Sequence, residues 1–111
     1  MRLPKAEQAI VELAKLTDYC LNPAHPRGQH KARVFASVLG FTMASAVLLQ
    51  KQLLEAARQE EVSPGENDQY GQRYMLDFEA QGPSGQAQIR SSWIVRTGED
   101  FPRLVTCYVL L

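Results

Sequence analysis

The hydrophobic pattern of this chain changes period near residue 60. Upstream, apolar residues recur every three or four positions, the repeat of an amphipathic helix; downstream they alternate, the repeat of a half-buried strand. Helices followed by closely connected strands have one economical arrangement, because each element has a single apolar face to bury against another. The pattern therefore predicts an α+β fold, with two or three N-terminal helices packed on one face of a three- or four-stranded antiparallel meander. At 111 residues the chain has the length of one domain and can bury a core without a metal or disulfide staple. The expected layout is a helical part over residues 4–59, a linker loop over 60–69 and the sheet over 70–110.

Pro4 suits a first helical turn, and Ala6, Ala9, Ile10, Leu13, Leu16 and Leu21 form a stripe after it. The Ile10-Val11 step also reads as a short extended piece, with the helix starting near Glu12. Pro23, Pro26 and Gly28 make residues 22–28 a loop. A second helix fits His30 to Leu39, with Ala32, Phe35, Ala36 and Leu39 on one face and Gly40 as its stop. Thr42 can cap a third helix to about Gln59, whose stripe of Ala46, Leu49, Leu53 and Ala57 is widened by Leu48 and Leu54. The polar stretch 60–69, with its Pro-Gly pair, reads as an exposed, mobile loop.

Three strands follow, at Tyr70–Gln81, Gln86–Arg96 and Arg103–Leu110, joined by turns at 82–85 and 97–102. Alternation points Leu76, Phe78, Ile89, Trp93, Val105 and Val109 toward the helices. The opposite face then carries Arg73, Asp77, Glu79, Arg90, Ser92, Arg96, Thr106 and Tyr108, as expected of a sheet with one wet side. The expected core is Leu13, Phe35, Leu39, Leu49, Leu53, Phe78, Ile89, Trp93 and Val105. The last strand is apolar on both sides, so a partner chain, the 60–69 loop or a ligand is expected to cover it. An exposed apolar edge invites pairing, which points to a protein partner or a homodimer through residues 103–111.

Lysine and arginine number 12 against 12 aspartate and glutamate, a balance that argues against a generic nucleic-acid binder and gives no DNA signal. A local site for RNA remains compatible with it. No apolar run approaches the ~18 residues of a membrane span, and the charged N-terminus is unlike a secretory signal, so a cytoplasmic protein is expected. Cys20 and Cys107 lack zinc-site spacing and read as buried free thiols. His25 and His30 have no carboxylate-rich companion segment, and no phosphate loop, GxSxG or dinucleotide fingerprint occurs, so neither metal nor cofactor is expected.

Two motifs are specific enough to suggest relatives. Pro26, Gly28, Lys31, Ala32 and Phe35 form P-x-G-x-x-K-A-x-x-F; Trp93, Ile94, Pro102, Arg103, Leu104, Thr106 and Tyr108 form W-I…P-R-L-x-T-x-Y. With them the chain resembles, over nearly its whole length, a bacterial family known only as a domain of unknown function. More loosely, helices followed by an antiparallel meander is similar to the layout of metal-independent RNases of the barnase, EndoU, colicin and RelE type. In that superfamily a His or Lys near the helices faces Arg, Ser or Thr, and Tyr on the strands.

The residues present match the needs of such chemistry, which are a proton donor and acceptor and a cation for the charge developing on phosphate. The candidates are His30 as general acid or base, Arg33 and Arg90 as phosphate ligands, and Thr106 with Tyr108 to position or stabilise the reacting group. Lys31, Ser92 and Arg103 are alternates. The plainer reading is a solvated sheet face, with Tyr108 capping a core edge and Trp93 in the core. On that reading the protein is a non-catalytic binding module, of antitoxin or immunity type or a dimer-forming accessory. Neutral charge favours the module; Arg33, Arg90, Arg96 and Arg103 favour the enzyme if they converge.

Overall fold

Gly40 separates the two main helical stretches. Its left-handed backbone, at φ 74°, ends the first of them and lets Gly40 N–H and Phe41 N–H close back on the carbonyls of Ala36 and Phe35. The structure, a computed structural model, describes residues 1–111. Three helices precede the sheet: α1 (Leu13–Lys15), α2 (Gln29–Val34) and α3 (Ala46–Gln59). The first two continue as wider π-type turns, Leu16–Cys20 and Phe35–Leu39, and α3 is entered through a 3-10 turn at Met43–Ser45. Thr42 N–H donates to Ser45 Oγ at 3.0 Å there, which uses one of the donors a helix start leaves open. The third helix thus runs where its sequence stripe predicts, burying Ala46, Leu49, Leu53, Ala56 and Ala57, although Leu48 stays exposed.

The N-terminal stretch follows the extended alternative. After a short 3-10 turn at Ala6–Gln8 the chain straightens, and Ile10 bonds alongside Arg103: Ile10 N–H donates to Pro102 O at 3.0 Å and Leu104 N–H to Ile10 O at 2.9 Å. The helix starts only after Glu12, which leaves Leu13 on its first turn, 40% exposed and outside the core. Leu3, Val11, Leu16, Cys20 and Leu21 are the buried residues of this segment.

Four antiparallel strands follow in the order β1 (Ser63–Asp68), β2 (Gly71–Gly82), β3 (Gly85–Arg96) and β4 (Pro102–Val109). The fold is α+β, as the change of period predicts. The segment 60–69 is not wholly loop, since β1 pairs along β2 from Ser63↔Met75 to Asp68↔Gly71. Every residue of β1 is exposed, so no alternation marks it, and Pro64 is tolerated because the strand is an edge with an irregular register.

The inward face of β2 is as expected, with Leu76, Phe78 and Ala80 buried. A β-bulge changes β4. Ser92 pairs with Thr106 but Trp93 with Leu104, so Val105 is an extra residue. It is turned outward and 37% exposed, a correction to its core assignment, while Leu104, Cys107 and Val109 face in. Phe35, Leu39, Leu49, Leu53, Ile89 and Trp93 are fully buried, and Phe78 nearly so. The cover on β4 comes from the chain itself, from Ile10 and from the packed turns Leu16–Cys20 and Gln29–Val34. The 60–69 segment lies at the opposite edge of the sheet. No single helix is long and apolar enough to cross a membrane.

Candidate functional site

The tight turn between β2 and β3 fixes a register that lines up charges on the outer face. Gly82 pairs with Gly85, and counting back along both strands brings Asp77 opposite Arg90; β4 then sets Tyr108 on the other side of Arg90. The Arg90 guanidinium grips Asp77 with two bonds, Nε to Oδ1 and NH2 to Oδ2, both 2.9 Å. Beside Tyr108 the row continues onto α2, where Lys31 Nζ stands 4.8 Å from the Tyr108 ring centroid. Asp77, Arg90, Tyr108 and Lys31 thus cross the sheet from β2 to the helical layer. Ser92 and Thr106 are paired one step along, on the same face.

The electrostatics follow from these contacts. Arg90 holds the Asp77 carboxyl below the usual carboxylate range. In return Asp77, and less strongly the Tyr108 hydroxyl, hold Arg90 more firmly charged. The phenol therefore sits between two cations, one of them partly neutralised. Together with the Ser92 and Thr106 hydroxyls, such an arrangement can bind an anion and give or take a proton at its edge.

Arg33 and Arg103 lie elsewhere. Residues two apart on an α-helix point roughly 200° apart, so with Lys31 facing Tyr108, Arg33 faces away. Arg33 is exposed, bonds Gln29 at 3.3 Å and lines an apolar groove with Leu21, Pro23, Ala36 and Met43. His30 is exposed on α2 next to Lys31 and makes no hydrogen bond or ion pair with the row. Arg103 is at the start of β4, doubly bonded to Glu99 at 2.9 and 3.0 Å and 3.7 Å from Glu12. The arginines Arg33, Arg90 and Arg103 therefore do not converge. His25 and His30 join no metal-sized cluster of His, Cys, Asp and Glu.

Sequence reasoning passes over Asp77 as a site residue although the evidence for it is present, since a hairpin turn at 82–85 makes Asp77 and Arg90 equidistant from the tip. It also treats Cys20 and Cys107 separately. Nothing in their spacing shows that the end of one helical turn meets the last strand.

Among solved structures the chain is similar to one chain of a contact-dependent growth inhibition toxin–immunity protein complex from Klebsiella pneumoniae 342. The two are 20% identical and superpose with a TM-score of 0.71, over 91% of this chain and 99% of the other. At that identity the likeness establishes the fold. No curated protein matches the chain in sequence. A family model does: residues 2–111 match the domain of unknown function DUF6883, and the chain belongs to that family.

Proposed function

We propose that the domain is a metal-independent ribonuclease of the toxin type, with its site on the outer face of the sheet around Tyr108. The observation that carries this reading is the row Lys31–Tyr108–Arg90, two cations astride a phenol on the outer face of the sheet. Lys31 takes the phosphate-binding part that sequence reasoning gives to Arg33, and Arg90 is the second cation, oriented by Asp77. Tyr108 and His30 serve the proton transfers, and Thr106 and Ser92 position the substrate by hydrogen bonds. Similarity in fold to a chain of a toxin–immunity complex supports a role within such a pair, and an RNA substrate would place its action in the cytoplasm.

The test is cleavage of mixed cellular RNA in the presence of EDTA. Tyr108→Phe, Lys31→Met and His30→Ala should each lose most of the activity, since general acid–base groups contribute ~10²–10⁴-fold. Arg33→Ala should keep it. A second reading has its own support, because the zero net charge and the pairing of Arg90 and Arg103 with acids suit a protein-binding surface better than a polyanion site. On that reading the domain is the immunity-type member of a pair. Wild type that cleaves none of several RNA substrates, and is harmless when expressed, would favour it over the ribonuclease.

A further inference from the structure

Cys20 ends the turn Leu16–Cys20, and Cys107 lies on the inward face of β4; both are free and buried, at 1% and 0% exposure. The two meet. The Cys20 sulfur lies 3.8 Å from Oγ1 of Thr106, the chain neighbour of Cys107, and within reach of the Cys107 thiol and backbone N–H. The amide bond has a structural origin. N–H groups alternate sides along a strand; Leu110 N–H reaches inward to Gln88 O on β3, so Cys107 N–H points off the edge of the sheet. No further strand accepts it there, and the Cys20 sulfur takes the place of the missing carbonyl. Lys31 adds a positive charge nearby.

From this geometry we propose that Cys20 and Cys107 are a peroxide-reactive thiol pair, in which hydrogen peroxide oxidises Cys20 and Cys107 resolves it to a disulfide joining the helical layer to β4. The thiolate is the nucleophile in such chemistry, and donors plus a cation are what stabilise a thiolate. Two cysteines placed only to fill a core would both be pushed up by burial. Here they are driven apart. The Cys107 thiol, the Cys107 amide, the Thr106 hydroxyl and Lys31 together outweigh burial and bring Cys20 down to about 6. Cys20, and burial, push Cys107 well up. The Thr106 hydroxyl and the open Cys107 amide stand at Cys20, which makes it the attacking sulfur and Cys107 the resolving one.

A shallow cavity of about 330 Å³ is lined by Lys15, Tyr19, Val105 and Thr106, which include the chain neighbours of both cysteines. In the first step the Cys20 thiolate attacks one peroxide oxygen: an S–O bond forms, the O–O bond breaks, and the leaving hydroxide is protonated to water. In the second, the Cys107 sulfur attacks the Cys20 sulfenic acid: the S–S bond forms, the S–O bond breaks, and the hydroxyl leaves as water with the Cys107 proton. Two thiols and one hydrogen peroxide give one disulfide and two waters.

Treating the folded, reduced protein with hydrogen peroxide tests this directly. The expected product is a monomer that has lost both titratable thiols and a pair of hydrogens by mass, and that regains them with a thiol reductant. In Cys107→Ser, Cys20 should be trapped by a sulfenic-acid-specific 1,3-diketone. In Cys20→Ser, Cys107 should stay unreacted at the same peroxide concentration, and Lys31→Met with both cysteines present should slow the first step. Two free thiols persisting in the folded protein at millimolar peroxide would overturn the proposal. So would cross-linked dimers as the main product, or Cys107 reacting as fast without Cys20. The wild-type thiol count decides even if a serine variant does not fold. None of these readouts involves RNA, so they stand or fall separately from the reading of the sheet face.

Discussion

Ser91 is the one polar residue buried in the core, and its hydroxyl makes Trp93 possible there. It donates to Leu76 O at 2.9 Å and accepts the Trp93 indole N–H at 2.9 Å, so neither polar group is left bare. Ser91→Ala removes a single oxygen yet strands the indole N–H, and should cost about 1–3 kcal/mol by chemical denaturation. Phe35→Ala, at a fully buried position stacked against Phe41, should cost about 3–5 kcal/mol. Leu13→Ala on the exposed first turn of α1 should shift stability by only about 0.5 kcal/mol, measured the same way. Phe35 and Trp93 were legible in the sequence because each sits on a regular stripe whose elements keep their period. Leu13 and Val105 were not. Each fits a regular pattern, and in each case the backbone leaves that pattern, by starting a helix late or by adding a residue to a strand.

Among the elements, the β2–β3 hairpin shows what a sequence can specify. Its glycine-flanked turn sets the register, and the register sets Asp77 beside Arg90 and Arg90 beside Tyr108. The tip also docks on the end of the helical stretch that Gly40 closes. Ser84 N–H donates to Leu39 O at 3.1 Å, and a Cβ on Gly82 would run into the Leu39 carbonyl and come within 2.9 Å of the Phe41 ring. Gly82→Ala should therefore push the hairpin off the helix end and destabilise by about 1–3 kcal/mol, read as a lower denaturant midpoint. The bulge in β4 and the edge strand β1 carried no comparable mark. The bulge has no glycine, and β1 has no buried residue whose spacing would betray it. The site was legible to the same extent: the sheet face and its residue types were, whereas the side of α2 that meets it depends on packing. That is why Lys31 stands where Arg33 was expected.

For the molecule as a whole, the carboxylates with resolved shifts all move the same way. Among them Asp68, Asp77 and Glu99 are held below their usual range, Asp77 and Glu99 chiefly by the arginines bonded to them and Asp68 chiefly by the Tyr70 backbone N–H. A folded-state value below the unfolded one means that the stabilisation is present above the ordinary carboxylate range and is lost as acid protonates these groups. The part of the stability that these carboxylates supply should thus be lost between roughly pH 5 and pH 3, read as a fall in the denaturation midpoint. Asp77→Asn should make that fall shallower. The pairs are half-exposed, so the effect should shrink in high salt.

The pairing of Ile10 with the last strand also constrains when the protein can finish folding. Ile10 finds its hydrogen-bonding partners, Pro102 and Leu104, at the opposite end of the sequence, and Met1 O accepts Val62 N–H at 2.7 Å at the junction between helices and sheet. Closing such long loops is slow, because chain entropy is lost before the contacts that compensate it are made. During synthesis Ile10 has no partner until β4 has left the ribosome. The helical half can form turns by then, but Ile10 stays unpaired and the layers cannot close over one another. A nascent chain stopped before residue 102 should therefore remain open to proteases along its N-terminal segment, and become resistant only when the last strand is complete.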